Sequence, residues 1–256
     1  MTLTLWLEAF APVAALMGVL WLLSIVLGRV SFIDAAWAPG FALLGWSGWL
    51  AAGRPTALAI WLALGLVSLW ALRLGGHLLR RHLTEGEDRR YTLILKNRQG
   101  LSRHLYTLTV IFALQALLIG LIGLPLLSVV AAPDPATPLV AGGALLALTG
   151  IALEALADHQ LTSFKADSDN QGRVLDSGLW AWTRHPNYFG DACLWWGLWL
   201  IGHDPVALAA PVIMTVLLMK WSGVPMLEKG LRKRRPGYED YMARVPAFFP
   251  RPPRRP

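Results

Sequence analysis

The residues with the greatest chemical potential lie in one short stretch, Gly178-Leu179-Trp180-Ala181-Trp182-Thr183-Arg184-His185-Pro186-Asn187-Tyr188-Phe189-Gly190-Asp191. Pro186 is placed to open a helix, because its missing N–H falls where helix donors have no partner anyway. Asn187 and Asp191 then share a face at i, i+4. Backbone N–H groups at such a start, beside Arg184 and His185, suit an anion. An aromatic belt at a membrane surface accounts for Trp180, Trp182, Trp195 and Trp196. It does not account for Arg, His, Asn, Tyr and Asp packed into eight positions.

Three further polar clusters interrupt apolar runs, where ionisable residues are costly and are functional candidates by default. Asp34 follows Ser31-Phe32-Ile33 at the start of an apolar stretch; it reads either as a functional carboxylate or as an ordinary first-turn acid favoured by the helix dipole. Arg73, His77 and Arg80 follow Trp70 on one helix face. Arg81 reads as a cation snorkelling to the surface, whereas Arg73 and His77 sit deeper and fit a cavity. Glu154, Asp158, Leu161 and Lys165 fall at i, i+4, i+7 and i+11. They form either the wet side of a helix that outlasts the membrane or a stripe for a ligand with hydroxyls and phosphate.

These clusters need long apolar elements to position them. The chain has 256 residues, 55% hydrophobic and 15% charged, with a net charge of +7 and a mean hydropathy of +0.48. Soluble domains carry about a quarter charged residues. A bilayer core needs about 20 apolar residues per helix, and seven candidate spans run over 3–27, 33–52, 57–78, 105–131, 138–157, 187–203 and 205–221. The last two are short and read alternatively as a hairpin that does not fully cross. Gly53-Arg54-Pro55 and Pro133-Asp134-Pro135 mark turns. Backbone groups in lipid must pair internally, so the runs are helices. The expected fold is an all-α integral membrane bundle of about seven transmembrane helices in a single domain. Spans one to four, 1–131, form one half, 138–250 the other and 251–256 a mobile tail.

Lys and Arg orient the bundle. With the N-terminus outside, the outer loops carry only Arg54, while inner segments carry seven basic residues in 79–104, three in 158–186 and nine after Trp221. By the positive-inside rule the C-terminus and all four clusters face the cytoplasm. The basic residues are thus membrane-flanking, and the +7 charge does not point to nucleic acid. A removable signal peptide is not expected, since the first run is too long and lacks a basic lead. Cys193 is the single cysteine. No metal site is expected.

The chain resembles the bacterial DUF1295 proteins, grouped with the steroid 5-alpha-reductase C-terminal domain superfamily. The resemblance is carried by Glu154-Ala155-Leu156-Ala157-Asp158-His159-Gln160, Phe164-Lys165, Gly178-Leu179-Trp180 and Arg184 to Asp191. It extends to Trp70-Ala71-Leu72-Arg73-Leu74, Glu87-Asp88-Arg89-Arg90-Tyr91, Gly223-Val224-Pro225-Met226-Leu227-Glu228, Tyr238, Tyr241 and Phe248-Phe249-Pro250. It implies a seven-helix bundle that takes NADPH from the cytoplasmic side and a lipid-like enone between the first four helices. It further implies a cofactor set of Arg80, Glu154, Asp158, Lys165, Arg173, Arg184, His185, Asn187, Tyr188, Asp191, Glu228 and Tyr241. Lys165 stands where the steroid enzymes carry Arg, losing the planar fork, and Asp191 where they carry Glu. Those enzymes polarise the substrate carbonyl with a Glu and a Tyr; here the corresponding catalytic positions look like Asp34 and His77. The implied activity is NADPH-dependent reduction of a carbon–carbon double bond conjugated to a carbonyl, in the lipid metabolism of a bacterial inner membrane. The partners implied are a lipophilic small molecule and membrane lipid. Two rivals stand beside it. The Arg-His-Pro-x-Tyr motif and tail are shared with isoprenylcysteine carboxyl methyltransferases, which would make S-adenosylmethionine the cofactor. A non-catalytic lipid-binding role is the other.

Overall fold

The structure is a computed structural model that describes residues 1–133, 137–221 and 223–253. Among these residues the chain is all-helical. The turn expected at Asp134-Pro135 and the last residues of the expected tail, 254–256, lie outside the described residues.

Helix α1, Leu3–Leu27, opens on Thr2, whose hydroxyl accepts from the Leu5 amide, and stops at Gly28 with φ 66°, a conformation glycine adopts without penalty. Helices α2 (Ile33–Ala51) and α3 (Leu58–Glu85) are separated by the turn that the Gly-Arg-Pro signal predicts, in which Gly53 and Arg54 take φ 79° and 60°. Two short helices follow, α4 (Arg89–Leu95) and α5 (Gly100–Tyr106). The latter runs through a π-helical segment, Thr107–Ala113, into α6 (Leu114–Ile122) and α7 (Leu124–Ala131). Helix α8 spans Pro138–Ala166 and α9 spans Pro186–Gly202. After a 3-10 turn at Val206–Leu208 come α10 (Ala209–Val216), a second π segment at Leu217–Trp221, α11 (Val224–Arg234) and α12 (Tyr238–Arg244).

Among the described residues, five helical stretches are long and apolar enough to cross a membrane: Leu3–Leu27, Leu58–Glu85, Gly100–Ile122, Pro138–Ala166 and Val206–Arg234. The other two expected spans form helices of 19 and 17 residues. Three Trp, three Gly and Asp34 dilute the apolar character of α2, and α9 falls short of the length that a bilayer core requires. Three boundaries move. The span expected to end at 78 continues to Glu85, and that expected to end at 157 continues to Ala166, because polar residues at a membrane exit do not stop a helix. The run 105–131 is interrupted at Gly123, ahead of Pro125.

The chain divides into two compact units, residues 1–141 with 199–210, and residues 142–198 with 211–256. The first unit takes its second segment from the end of α9 onward. Gly202 explains its placement: a Cβ there would meet Ser128 Oγ and Val129 Cγ2, both at 2.8 Å.

In the first unit α2 and the α6–α7 run meet along a seam of small residues. A Cβ on Gly40 would lie 2.7 Å from Ile119 Cδ1, while Gly123 sits against Leu44 and Gly48 against Leu127. The three pairs keep a constant sequence offset, which describes two parallel helices in register. In the second unit α8 and α9 touch backbone to backbone. A Cβ on Gly190 would lie 2.6 Å from the Gly150 carbonyl oxygen, and one on Gly197 2.5 Å from Ala147 N. Such close approach is the membrane mode of packing, in which dispersion replaces the hydrophobic drive that lipid removes.

Candidate functional site

The first unit carries a polar centre at the start of α2. Asp34 accepts from the Tyr91 hydroxyl at 2.6 Å and from Arg90 Nη2 at 2.7 Å. Arg90 also binds Asp88 through Nε at 3.1 Å and Nη2 at 3.0 Å. The local reason is a helix cap: Asp88 accepts from the Arg90 amide and opens α4, which turns Arg90 and Tyr91 toward Asp34. Tyr91 is buried. Burial and then the Asp34 charge push its phenol far above the usual range, so it stays a donor at any working pH. Glu87 completes the clasp by accepting from the backbone amides of Val30 and Ser31 and from the Ser31 hydroxyl, which also contacts His82 Nδ1 at 3.0 Å. Of the three expected residues on this side, Asp34 is the hub. His77 is half-buried and Arg80 exposed on α3. Sequence reading placed Glu87-Asp88-Arg89-Arg90-Tyr91 in a motif and assigned it no role; the acid-rich cap before a helix was the available signal.

The second unit gathers most of the other expected residues around the start of α9. The close packing of Gly150 on Gly190 brings the Glu154–Asp158 face of α8 alongside the first turns of α9, where Asn187 Nδ2 donates to Asp158 Oδ1 at 3.2 Å. Asn187 also accepts from the Tyr188 amide. Glu154, Asp158 and Asp191 are all buried. The His185 and Tyr188 rings stack at 5.3 Å between centroids.

Arg184, His185 and Glu228 form a buried triad. Arg184 Nε donates to Glu228 Oε1 at 2.7 Å, and His185 Nε2 lies 3.1 Å from the same oxygen. Arg184 Nη1 donates to the Met242 and Val245 carbonyls. The guanidinium therefore braces the C-terminal segment against α9. Thr183, which sequence reading overlooked, donates to the Phe248 carbonyl at 2.9 Å and contacts Ala247. Tyr241 donates to the Trp180 carbonyl at 2.6 Å, and Trp180 Nε1 donates to the Ala157 carbonyl. Burial, followed by the neighbouring Tyr238, pushes the Tyr241 phenol well above its usual value. Lys165 and Arg173 are exposed and stand apart from this core. Lys165 lines a cleft of about 220 Å³ with Phe164, Asn170, Gln171 and Arg235.

The polar groups thus fall into a carboxylate–phenol–guanidinium centre in one unit and a braced Asp158–Asn187 pair in the other. A family model described as a protein of unknown function, DUF1295, matches residues 20–245. The chain belongs to the DUF1295 family. The match covers both polar centres of this DUF1295 protein. It is also similar to an uncharacterized protein of Schizosaccharomyces pombe, C594.04c, at 30% identity over 97 residues, 34% of this chain. The aligned part covers 27% of that relative. No solved structure matches.

Proposed function

We propose that this DUF1295 protein is a membrane reductase that uses NADPH to saturate a carbon–carbon double bond conjugated to a carbonyl in a lipophilic substrate. DUF1295 membership is consistent with a place in the steroid 5-alpha-reductase-like superfamily. One observation supports the reading above the others: Asp34, at the head of α2, holds the buried Tyr91 phenol at 2.6 Å beside Arg90. Hydride addition at the β carbon of an enone moves the double-bond electrons toward the carbonyl oxygen. The enolate that forms needs hydrogen-bond donors aimed at that oxygen. Arg90 supplies such donors through Nη1, and Tyr91 does so once its single O–H turns from Asp34 to the developing oxygen; proton delivery at the α carbon completes the reduction. Tyr91 takes the role that the resemblance gave to His77.

The second unit fits a nucleotide in part. Asp158 and Asn187 offer acceptors and donors for sugar hydroxyls and an amide, and Lys165 and Arg235 face one cleft in which a phosphate fits. Arg184 would act as a brace, since its donors already meet Glu228 and two carbonyls. A bound nicotinamide supplies the hydride. The reading further places the protein in a bacterial inner membrane with seven crossings, the N-terminus outside and both polar centres open to the cytoplasm. The clustering of Lys and Arg in 79–104 and after Trp221 supports this orientation.

Titration of the detergent-purified protein with NADPH, NADH and S-adenosylmethionine tests the proposal. NADPH is expected to bind, and Asn187→Ala to abolish binding while leaving thermal unfolding within a few degrees. Binding of S-adenosylmethionine alone would replace the reductase with a methyltransferase.

A further inference from the structure

The segment that carries α4 and α5 is charged with one sign. From Arg89 to His104 it holds five Lys and Arg and no Asp or Glu. The two acids just before it are already spent, Glu87 on the Val30 and Ser31 amides and Asp88 on Arg90. Three of the five cations are committed as well. Arg90 binds Asp34 and Asp88, Arg98 lies over the Tyr106 ring at 3.6 Å, and Arg103 Nη2 donates to the Gly28 carbonyl at 3.1 Å. Arg89 and Lys96 are exposed, and among the described residues their side chains make no ion pair and no hydrogen bond.

Helical spacing puts these two cations side by side. On α4, Tyr91 and Leu95 are buried at i, i+4. Arg89, Leu93 and Lys96 fall at i, i+4, i+7 on the opposite face, with Lys96 still in helical conformation at φ −49°. Leu93, between the two cations, is 61% exposed. Helix α5 adds Leu101 and Leu105, again at i, i+4, at 72% and 52%. Leucine flanked by cations on an outward face is the composition of a helix that lies in the plane of a membrane surface, where long basic side chains keep their stems in the apolar layer and their charges among the headgroups. The flanking elements hold the segment at such a surface. Leu58–Glu85 ends just before it and Gly100–Ile122 starts within it, and both are long and apolar enough to cross a membrane. The link between two consecutive crossings stays on one side, within a few residues of the lipid.

We infer that α4 and α5 dock on the anionic phospholipid headgroups of the membrane, Arg89 and Lys96 each taking a lipid phosphate while Leu93, Leu101 and Leu105 enter the acyl boundary. A zwitterionic headgroup also offers a phosphate, but its ammonium cancels the charge, so the electrostatic attraction selects anionic lipid. Tyr91 lies on the inner face of the same helix and donates to Asp34. The lipid contact therefore also seats α4 over the head of α2. The inference uses the membrane placement of the chain and not the proposed reduction.

The test is hydrogen exchange of residues 89–106 in the full-length protein, without cofactor, in nanodiscs of phosphatidylcholine alone and of phosphatidylcholine mixed equally with phosphatidylglycerol. Helices of seven residues fray unless something holds them, so their exchange reports docking. Exchange is expected to slow in the mixed bilayer by about fivefold for each cation that gains a phosphate. The difference is expected to shrink at about 1 M salt, where the Debye length falls to about 3 Å. Replacing both cations, Arg89→Gln with Lys96→Gln, is expected to abolish the difference and leave exchange in phosphatidylcholine as in the wild type. The charge-conserving pair Arg89→Lys with Lys96→Arg is expected to retain it. Equal exchange of the wild type in the two bilayers, or a difference that survives in the doubly neutralised variant, would overturn the assignment.

Discussion

Replacing Glu228 with Gln tests whether the Arg184 triad braces the second unit. The substitution keeps the size and one acceptor oxygen but removes the charge that faces a guanidinium and an imidazole with side chains 8% and 4% exposed. Breaking a buried pair by neutralising one partner costs about 3–5 kcal/mol, because the other charge is left without compensation. Arg184 keeps its bonds to the Met242 and Val245 carbonyls, so the lower end, about 3 kcal/mol, is expected. For a chain of this size that is a fall in unfolding temperature of roughly 6–12 °C. The measurement is thermal unfolding in detergent of wild type, Glu228→Gln, Arg184→Met and the double variant. The double variant is expected to be more stable than Glu228→Gln alone, since no buried charge then lacks a partner. A loss of less than about 1 kcal/mol in Glu228→Gln, or simple additivity in the double variant, would refute the brace.

Two other outcomes are set by the geometry. Gly190→Ala places a methyl group 2.6 Å from the Gly150 carbonyl oxygen and 2.8 Å from Glu154 N; these are backbone atoms, so α8 and α9 must separate at a cost of about 1–3 kcal/mol. Gly65→Ala, which meets nothing within 4 Å, is neutral or slightly stabilising by the same denaturation assay. Acid should loosen the loop that holds Tyr91. Burial raises the Asp88 carboxyl, but its bonds to Arg90 and the charges of Arg90 and Arg81 more than offset this, and its pKa falls below the ordinary value of 3.8. A depressed carboxylate stabilises the fold above its unfolded pKa and loses that contribution as pH falls through the lower folded value. Amide exchange of residues 86–91 should therefore quicken below about pH 4, and Asp88→Asn should flatten that dependence; an unchanged pH profile in Asp88→Asn would exclude the mechanism.

Much of the architecture is legible in local pattern. Apolar runs with no room for unpaired backbone can only be helices, Gly53-Arg54-Pro55 marks a turn, and Pro186 falls at a helix start. Residues on one helix face, such as Glu154 and Asp158, are found by spacing alone. The lengths of α3 and α8 were less legible, since a bilayer window ends where hydropathy falls and a helix ends only where its hydrogen bonds do.

Partnership across helices was outside what spacing contains. Arg184 looks from sequence like a ligand for an anion, and the fold commits it to Glu228, 44 residues away. Asp34 stands in the resemblance as a catalytic carboxylate, and the fold hydrogen-bonds it to Tyr91, 57 residues away. The sequence by itself determined which segments are helices and which faces are polar, because those depend on bonds within a few residues. Only the tertiary structure decided which polar groups are spent on one another and which stay open to a ligand, because that depends on the register with which one helix packs against the next.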